Sequence, residues 1–257
     1  MELDSAVLAR QAATLRGLHR GDAPLVLPNA WDVPSARSVA AAGFPAVATT
    51  SGGIAAMLGY PDGQAISAGE MFAAVQRIAA AVDVPVTADL EAGYGLPAVE
   101  LVERLLTAGA VGCNLEDTDR DGGGRSLVAT EDHAARIAAV KAAGRAAGVD
   151  LVVNARVDVY ARQVEPALEL ALERGRAYVE AGADCVFPIL VRDEDHIAAL
   201  VTALGTVNVY WRAGWPSIER LTELGVRRVS FGSGIHRAAT DHVDDVVRRI
   251  KGGTYEG

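Results

Sequence analysis

The chain has 257 residues, 50% of them hydrophobic, and a formal net charge of -9 at pH 7. This length and apolar fraction suit one (β/α)8 barrel with its helix layer, so we expect a single domain over residues 1–257. The negative charge argues against a nucleic-acid partner, and the lack of a membrane-length apolar stretch or signal-peptide region predicts a cytoplasmic protein without a membrane partner.

Short runs of Val, Ala and Leu alternate with longer amphipathic segments, as in parallel strands joined by crossover helices. Residues 3–18 form a predicted helix that covers the bottom of the barrel, and a last helix is predicted from Thr240 to Lys251. Eight strands are predicted between them, at 25–30, 46–51, 85–91, 110–116, 151–157, 184–190, 207–211 and 227–232. The pattern therefore predicts an α/β protein, a (β/α)8 TIM barrel with an extra N-terminal helix.

Acidic side chains end the third and fourth predicted strands. Asp89 and Glu91 are two residues apart on the third strand, so alternation along a strand turns both into the barrel, and Glu116 has the same parity on the fourth. Carboxylates crowded at a barrel mouth repel one another unless a proton, an arginine or a cation compensates them. Oxygen ligands favour Mg²⁺, or alternatively Mn²⁺. We predict a metal site on these three acids, with a buried network pairing Asp89 and Glu91 with Arg156 as the alternative.

Polar residues also end the fifth and second strands. Asn154, Arg156 and Asp158 share one face, where an arginine suits bidentate capture of a substrate carboxylate or phosphonate. The alternative is an ion pair of Arg156 with Asp158 or Glu116 that supports the fold. After the second strand, the glycines of Ser51-Gly52-Gly53 allow backbone N–H groups to approach an anionic oxygen.

Three further features narrow the chemistry. The two cysteines, Cys113 and Cys185, lie in apolar strand-like runs and are expected to be buried, reduced thiols. The two lysines, Lys141 and Lys251, fall on predicted helices, which argues against Schiff-base chemistry on a strand lysine. The last strand runs into residues 232–237, which resemble the phosphate-binding turn of many barrels.

Taken together, these motifs resemble the isocitrate lyase and phosphoenolpyruvate mutase superfamily over about residues 25–240. The residues that carry the resemblance are Ser51-Gly52-Gly53, Leu58-Gly59-Tyr60-Pro61-Asp62, Ala88-Asp89-Leu90-Glu91-Ala92-Gly93-Tyr94-Gly95, Asn114-Leu115-Glu116-Asp117 and Asn154-Ala155-Arg156. The resemblance implies that Asp89, Glu91 and Glu116 hold Mg²⁺ largely through waters, with Asp62 close by. It also implies a 2-oxo or 2-hydroxy carboxylate held by Ser51, Arg156 and the N–H groups of Gly52 and Gly53.

The loop after the fourth strand, residues 118–127, departs from the named members of that superfamily. Isocitrate and methylisocitrate lyases carry a cysteine motif there, and the mutase and phosphonopyruvate hydrolase pattern has Lys and Asn, whereas this loop contains none of these residues. Arg120 and Arg125 are predicted to anchor a second carboxylate or phosphonate when the loop closes. The alternative is a solvated loop on which these charged side chains bind no ligand. Ile189 stands where the similar lyases carry Glu, which favours a more apolar distal pocket than isocitrate requires.

The leading prediction is a Mg-dependent lyase that cleaves a C–C bond in a 2-oxo acid or 2-hydroxy diacid through a metal-stabilised enolate, releasing pyruvate or a related 2-oxo acid. Asp62 and Tyr94 are the predicted proton-transfer residues, Arg156 is predicted to act with them, and Asn154 is predicted to contact substrate. The alternatives are a P–C bond enzyme acting on phosphonopyruvate and a non-catalytic 2-oxo acid binder. The resemblance further implies a homo-oligomer, a tetramer or dimer, because relatives exchange a C-terminal helix between subunits.

Overall fold

The computed structural model describes residues 5–120 and 122–255. Its strands are short and almost entirely buried, and Pro28, which has no N–H to donate, divides the first barrel strand into two halves. The strands are β1 (Leu25–Leu27), β2 (Asn29–Ala30), β3 (Val47–Thr49), β4 (Val86–Asp89), β5 (Gly112–Glu116), β6 (Val152–Val157), β7 (Cys185–Pro188), β8 (Asn208–Tyr210) and β9 (Arg228–Ser230).

All the pairings between strands are parallel, and together they close the sheet into a barrel. The strands β2 to β7 pair in chain order, and β1 pairs with β9, which pairs in turn with β8. A parallel bridge between Val186 and Val207 joins the β7 and β8 segments. Counting β1 and β2 as one strand, the chain forms the predicted (β/α)8 barrel.

Helices surround this barrel and also cover its bottom. They are α1 (Ser5–Leu18), α2 (Val33–Ala41), α3 (Ser51–Met57), α4 (Ala68–Ala79), α5 (Ala98–Thr107), α6 (Thr130–Ala146), α7 (Ala167–Glu180), α8 (Glu194–Leu204), α9 (Ile218–Glu223) and α10 (Gly234–Lys251). The extra N-terminal helix is α1, and residues 3 and 4 of the prediction lie outside the described residues. Its Leu15 is fully buried against the barrel floor, where a Cβ on Gly112 would lie 2.8 Å from Leu15 Cδ2.

Two boundaries differ from the prediction in ways that shape the functional end. The second barrel strand ends at Thr49, and Ser51 begins α3 because the Thr50 side chain accepts a hydrogen bond from the Gly53 N–H and caps the helix. The last helix begins at Gly234 rather than Thr240, so its first turn lies directly behind β9. Cys113 and Cys185 are free and buried, as expected. No helix within the described ranges is long and apolar enough to cross a membrane.

Candidate active site

A cavity of about 170 Å³ opens at the carboxyl ends of the barrel strands. It is smaller than the roughly 300–1,000 Å³ of pockets for drug-sized ligands, so its volume suits a small metabolite. Five of the predicted site residues line it: Ser51, Gly52, Asp62, Asp89 and Arg156. Reactive groups of (β/α)8 enzymes lie at this end of the barrel, which makes this cavity the candidate active site.

Asp89, the last residue of β4, faces the cavity and is held by three donors. Its Oδ2 accepts hydrogen bonds from Ser51 Oγ at 2.8 Å and from the Ser51 N–H at 3.1 Å. Its Oδ1 accepts a longer bond from Asn114 Nδ2 at 3.3 Å. The carboxylate is therefore fixed in orientation before any ligand arrives, and the Ser51 hydroxyl is directed at it.

Gly52 lies in the wall of the cavity, in the first turn of α3. A Cβ at this position would lie 2.6 Å from Ser233 Oγ and 2.8 Å from Asp62 Oδ2, so a side chain here would displace these two groups. The Gly52 N–H belongs to the first turn of α3, where amide groups have no intrahelical acceptor. This arrangement leaves that N–H available to an anionic oxygen, whereas the Gly53 N–H is directed to Thr50 Oγ1 at 3.4 Å.

Glu91 lies in the acidic cluster, but its backbone conformation differs from the predicted one. The strand ends at Asp89, and Glu91 adopts the left-handed conformation with a φ of 51°, so strand alternation does not set its direction. Tyr94, also left-handed at 57°, donates from its hydroxyl to Glu91 Oε1 at 2.9 Å. Glu91 Oε2 is buried and has no hydrogen-bond partner in the described part of the chain.

Two arginines contact the third acid, Glu116, whose side chain is fully buried. Arg156 Nη1 lies 2.7 Å from Glu116 Oε2, and Arg120 Nε donates to Glu116 Oε1 at 2.7 Å. Arg156 also donates to Asp158 through Nε at 2.6 Å and Nη2 at 3.0 Å. The ion pairs weighed as an alternative for Arg156 are therefore formed, with Glu116 and Asp158, while Arg156 still lines the cavity.

Burial and, to a lesser extent, mutual repulsion disfavour the ionised form of the acids in this cluster. Burial, with the charges of Asp89 and Glu116 as further causes, raises the pKa of Glu91 to about 7. Burial also raises the pKa of Glu116, although Arg156 opposes the shift. The Tyr94 pKa is raised by burial and by Glu91, so its hydroxyl remains a donor to that carboxylate. A cation would relieve this repulsion.

The acid cluster fits a hydrated divalent cation better than a fully dehydrated one. Buried Glu91 Oε2 lacks a hydrogen-bond partner among the described residues, which suits a hard cation, whereas Glu116 Oε2 already lies 2.7 Å from Arg156 Nη1. No group of three His, Cys, Asp or Glu in residues 5–120 and 122–255 is close enough to form a ligand set alone. That Asp89, Glu91 and Glu116 hold such an ion stays a prediction.

The remaining predicted residues lie around the cavity rather than in its wall. Asn154 is buried and donates to Asn114 Oδ1 at 2.8 Å, so it supports a residue that lines the cavity. Loop 118–127, of which residue 121 lies outside the described residues, is closed by a bridge between Thr118 and Leu127. Arg125 is exposed on it. The predicted substrate contacts of Asn154, Gly53, Arg120 and Arg125 stay predictions.

Sequence reasoning gave no role to several residues of the cavity wall. Asn29, on β2, was missed although strand parity could have found it, whereas parity with Glu116 already places Asn114 inward on β5. Tyr210, Ser233 and Arg237 form another part of the wall. Arg237 comes from the first turn of α10, and the later helix start predicted from the sequence placed it in a turn instead.

Comparisons with known proteins agree with this fold and show the family. The sequence model of the family described as phosphoenolpyruvate phosphomutase matches residues 15–251. A protein named "Probable 2-methylisocitrate lyase 1" of Corynebacterium glutamicum is 33% identical over 90% of this chain and 79% of its own. An uncharacterised protein of Mycobacterium tuberculosis strain H37Rv is 36% identical over 86% of this chain and 84% of its own.

A solved structure of a similar protein has the same fold. The structure of oxaloacetate acetylhydrolase in complex with the product oxalate superimposes with a TM-score of 0.87, at 26% identity, over 97% of this chain and 89% of that one. The family match spans nearly the whole barrel, including every acid and arginine of the cavity. The chain therefore belongs to the phosphoenolpyruvate mutase family, within the isocitrate lyase and phosphoenolpyruvate mutase superfamily.

Proposed function

We propose that this protein is a Mg²⁺-dependent lyase that cleaves a C–C bond in a small 2-oxo acid or 2-hydroxy diacid and releases pyruvate or a related 2-oxo acid. The observation that carries the proposal is the position of Asp89, fixed by Ser51 and Asn114 at the wall of a cavity that Arg156 also lines. Similarity to a protein named as a methylisocitrate lyase and to oxaloacetate acetylhydrolase supports C–C bond chemistry.

The chain's own residues divide the work of binding and proton transfer. Arg156 lines the cavity and, with the Gly52 N–H, would hold the substrate carboxylate beside Asp89. A bound Mg²⁺ on Asp89, Glu91 and Glu116 would supply a Lewis acid for the adjacent oxygen. Arg156, fixed in place, would stabilise negative charge that develops on the substrate without having to reorganise during the reaction.

Asp62 is the best-placed group for proton transfer. It lines the cavity, and its Oδ1 accepts the Gly63 N–H at 2.9 Å, which leaves Oδ2 beside Gly52. Tyr94 does not line this cavity and its hydroxyl donates to Glu91. We therefore assign Tyr94 to orienting Glu91 and Asp62 to moving the proton.

A second candidate, P–C bond chemistry on phosphonopyruvate, is favoured by the matching family model, whose description is phosphoenolpyruvate phosphomutase. One experiment separates the candidates. The Mg²⁺-loaded protein is incubated with 2-hydroxy diacids, oxaloacetate and phosphonopyruvate, and 2-oxo acids, inorganic phosphate and phosphoenolpyruvate are measured. We expect 2-oxo acid release from a diacid, lost in Arg156→Gln and retained in Arg192→Gln, which alters an exposed loop residue.

The other outcomes decide between the alternatives. Phosphate or phosphoenolpyruvate formed from phosphonopyruvate would replace the lyase by the P–C enzyme. Tight Mg²⁺-dependent oxalate binding without turnover of any compound would identify a binder of 2-oxo acids. Turnover that is unchanged in Arg156→Gln would contradict the assigned site.

We also propose that the protein forms a homo-oligomer, a tetramer or dimer, through α10. None of the residues of this helix is buried, and Val243, Val247 and Ile250 expose 57%, 56% and 57% of their surface on one helix face. Such an apolar face on an unburied helix is typical of a contact surface. Light scattering should give a mass above one chain that Val247→Asp lowers and Arg248→Gln leaves unchanged, and a monomeric wild-type protein would contradict the proposal.

A further inference from the structure

Below the floor of the cavity, the inside of the barrel contains a buried arginine that has no part in the proposed function. Arg228 is the first residue of β9 and pairs in register with Leu25 of β1 and Asn208 of β8. Ser230, two residues later on the same strand, lines the cavity, so strand alternation turns both side chains into the barrel. Arg228 is only 1% exposed, which places its guanidinium in the barrel interior rather than in solvent.

Arg228 carries a positive charge that no acid among residues 5–120 and 122–255 neutralises by direct contact. Its Nη2 donates to Asn114 Oδ1 at 3.4 Å, and its Nε and Nη1 have no hydrogen-bond partner in the described part of the chain. Burial lowers the pKa of Arg228, but a guanidinium keeps its proton in proteins, so the charge remains. A buried charge without a partner destabilises a fold. The presence of this arginine therefore calls for an explanation other than stability.

Three titratable groups near Arg228 are uncharged at neutral pH. Burial lowers the pKa of His19 to about 4, with the charge of Arg228 as a further cause, so its ring is neutral. Burial raises the pKa of Cys113 and the pKa of Cys185 to about 12, so both thiols keep their protons. These neighbours contribute no negative charge that could offset the guanidinium.

One carboxylate does act on Arg228, and it belongs to the candidate active site. Burial lowers the Arg228 pKa, whereas the charge of Asp89 raises it. Asn114 connects the two side chains, because its Oδ1 accepts from Arg228 while its Nδ2 donates to Asp89 Oδ1 at 3.3 Å. The oxygen end of the amide dipole thus faces the cation and the N–H end faces the anion, which favours both charges.

The charge of Arg228 matters more to the site than its hydrogen bond. Asn154 Nδ2 donates to the same Asn114 Oδ1 at 2.8 Å, a shorter bond than the 3.4 Å one from Arg228. Asn114 would therefore keep its orientation without Arg228, and Asp89 would also keep its two bonds from Ser51. Loss of Arg228 would leave the geometry of the site in place and remove one positive charge from beneath it.

We propose that Arg228 is a buried electrostatic element of this site, whose charge acts on Asp89 across Asn114 and favours the binding of an anionic substrate. The inference rests on the proposed function, in which Asp89 helps to hold Mg²⁺ beside a carboxylate ligand. Acids that attract a cation also repel an anionic substrate, and a fixed cation below them offsets part of that repulsion. Arg228 touches neither ligand, so it is a positioning residue that acts through Asn114.

The test measures Mg²⁺ and oxalate binding separately, because a positive charge affects them in opposite directions. Calorimetry on the full-length protein gives the Mg²⁺ affinity alone and then the oxalate affinity at saturating Mg²⁺. Arg228→Met removes the charge and keeps an unbranched side chain, whereas Arg228→Gln removes the charge and keeps N–H donors. Lys141→Met is the control, since Lys141 is also a buried cation but is paired with Asp150 and Asp184, outside the cavity wall.

We expect both Arg228 variants to bind oxalate about tenfold more weakly than the wild type, as the loss of one charge acting across an amide in a protein interior predicts. Mg²⁺ should bind them at least as tightly as the wild type, since a repelling charge is gone. Urea unfolding should show that Arg228→Met is at least as stable as the wild type, because an apolar side chain replaces an unpaired buried charge. Lys141→Met should lose stability and keep both affinities.

The other outcomes overturn the inference in recognisable ways. Weaker binding of both Mg²⁺ and oxalate, or a loss of stability in Arg228→Met up to failure to fold, would show that Arg228 only supports the fold. Oxalate affinity lost in Arg228→Met but kept in Arg228→Gln would assign the effect to the hydrogen bond. Unchanged oxalate affinity in both variants would refute the role of Arg228 while the proposed function stands. If the wild type binds neither Mg²⁺ nor oxalate, the proposed function is wrong and this inference fails with it.

Discussion

Replacement of Arg120 by methionine tests how the acid cluster is neutralised. Arg120 Nε donates to Glu116 Oε1 at 2.7 Å, and its Nη2 lies 3.6 Å from Glu91 Oε2. At an effective dielectric constant of roughly 20, a pair of charges at that longer distance interacts by about 5 kcal/mol. The Arg120 side chain is 20% exposed, so water screens much of this attraction. A divalent cation bound to the same acids would compete with Arg120 for their negative charge.

We expect Mg²⁺ to bind Arg120→Met about tenfold more tightly than the wild-type protein, because the two glutamates lose one competing positive charge. Calorimetric titration at low salt and neutral pH measures the affinity. Arg192→Met is the matched control, since it removes the same charge from an exposed position in the loop after β7 and should leave the affinity unchanged. Equal or weaker Mg²⁺ binding by Arg120→Met would show that Arg120 does not compete with a cation.

Two further predictions concern stability and the cavity wall. Burial lowers the pKa of His133 to about 4, below its value of 6.5 in the unfolded chain, so the unfolded state binds more protons and stability is lost as pH falls from 6.5 toward 4. His133→Phe keeps a ring against Tyr178 but has no group that titrates. Urea unfolding should show that its free energy of unfolding, relative to that of the wild type, increases by about 2 kcal/mol from pH 7.5 to pH 5. A difference between the two proteins that is the same at both pH values would contradict the burial effect. Gly52→Ala should weaken oxalate binding about tenfold, because its Cβ meets Ser233 and Asp62, whereas Gly17→Ala on α1 has open space and should not. Equal oxalate affinity in both glycine variants would place the ligand elsewhere.

The barrel was predictable from the sequence because the same pattern of strand, helix and turn is repeated along the chain. Each βα unit has a buried apolar strand and a helix, and glycines such as Gly109 and Gly182 end helices at positive φ values of 82° and 99°. Asp89 was predictable for the same reason, since it is the last residue of a strand and such residues face the active-site end. Local pattern and global fold agree at these positions.

The three acids lie near one another, as expected from the sequence, but the strand alternation invoked for Glu91 was wrong. Strand alternation assumes that the strand continues to residue 91, whereas the chain leaves the sheet after Asp89 and turns through a left-handed Glu91. Such a conformation is uncommon for a residue with a side chain and was not indicated by the pattern. The hydrogen bond from Tyr94, which depends on the same turn, was equally unpredictable.

The partners of the arginines also required the structure. Spacing placed Arg156 beside carboxylates but did not distinguish a substrate contact from an ion pair, because that choice depends on side-chain conformation. Arg120 lies on an irregular loop, which has no hydrophobic periodicity from which the direction of its side chain could be predicted. Arg237 was unassigned because α10 begins at Gly234, and that start decides which side chains face the cavity.

Asp89, Glu91 and Glu116 are proposed to hold a divalent cation at the mouth of this barrel. The most direct measurement is a calorimetric titration of Mg²⁺ into the wild-type protein and into Asp89→Ala, with circular dichroism to show that both are folded. Since Asp89 faces the cavity and is oriented by Ser51 and Asn114, we predict one saturable Mg²⁺ site in the wild type that is lost in the variant. Mg²⁺ binding of unchanged affinity in Asp89→Ala, or no binding by the wild type, would contradict the metal site.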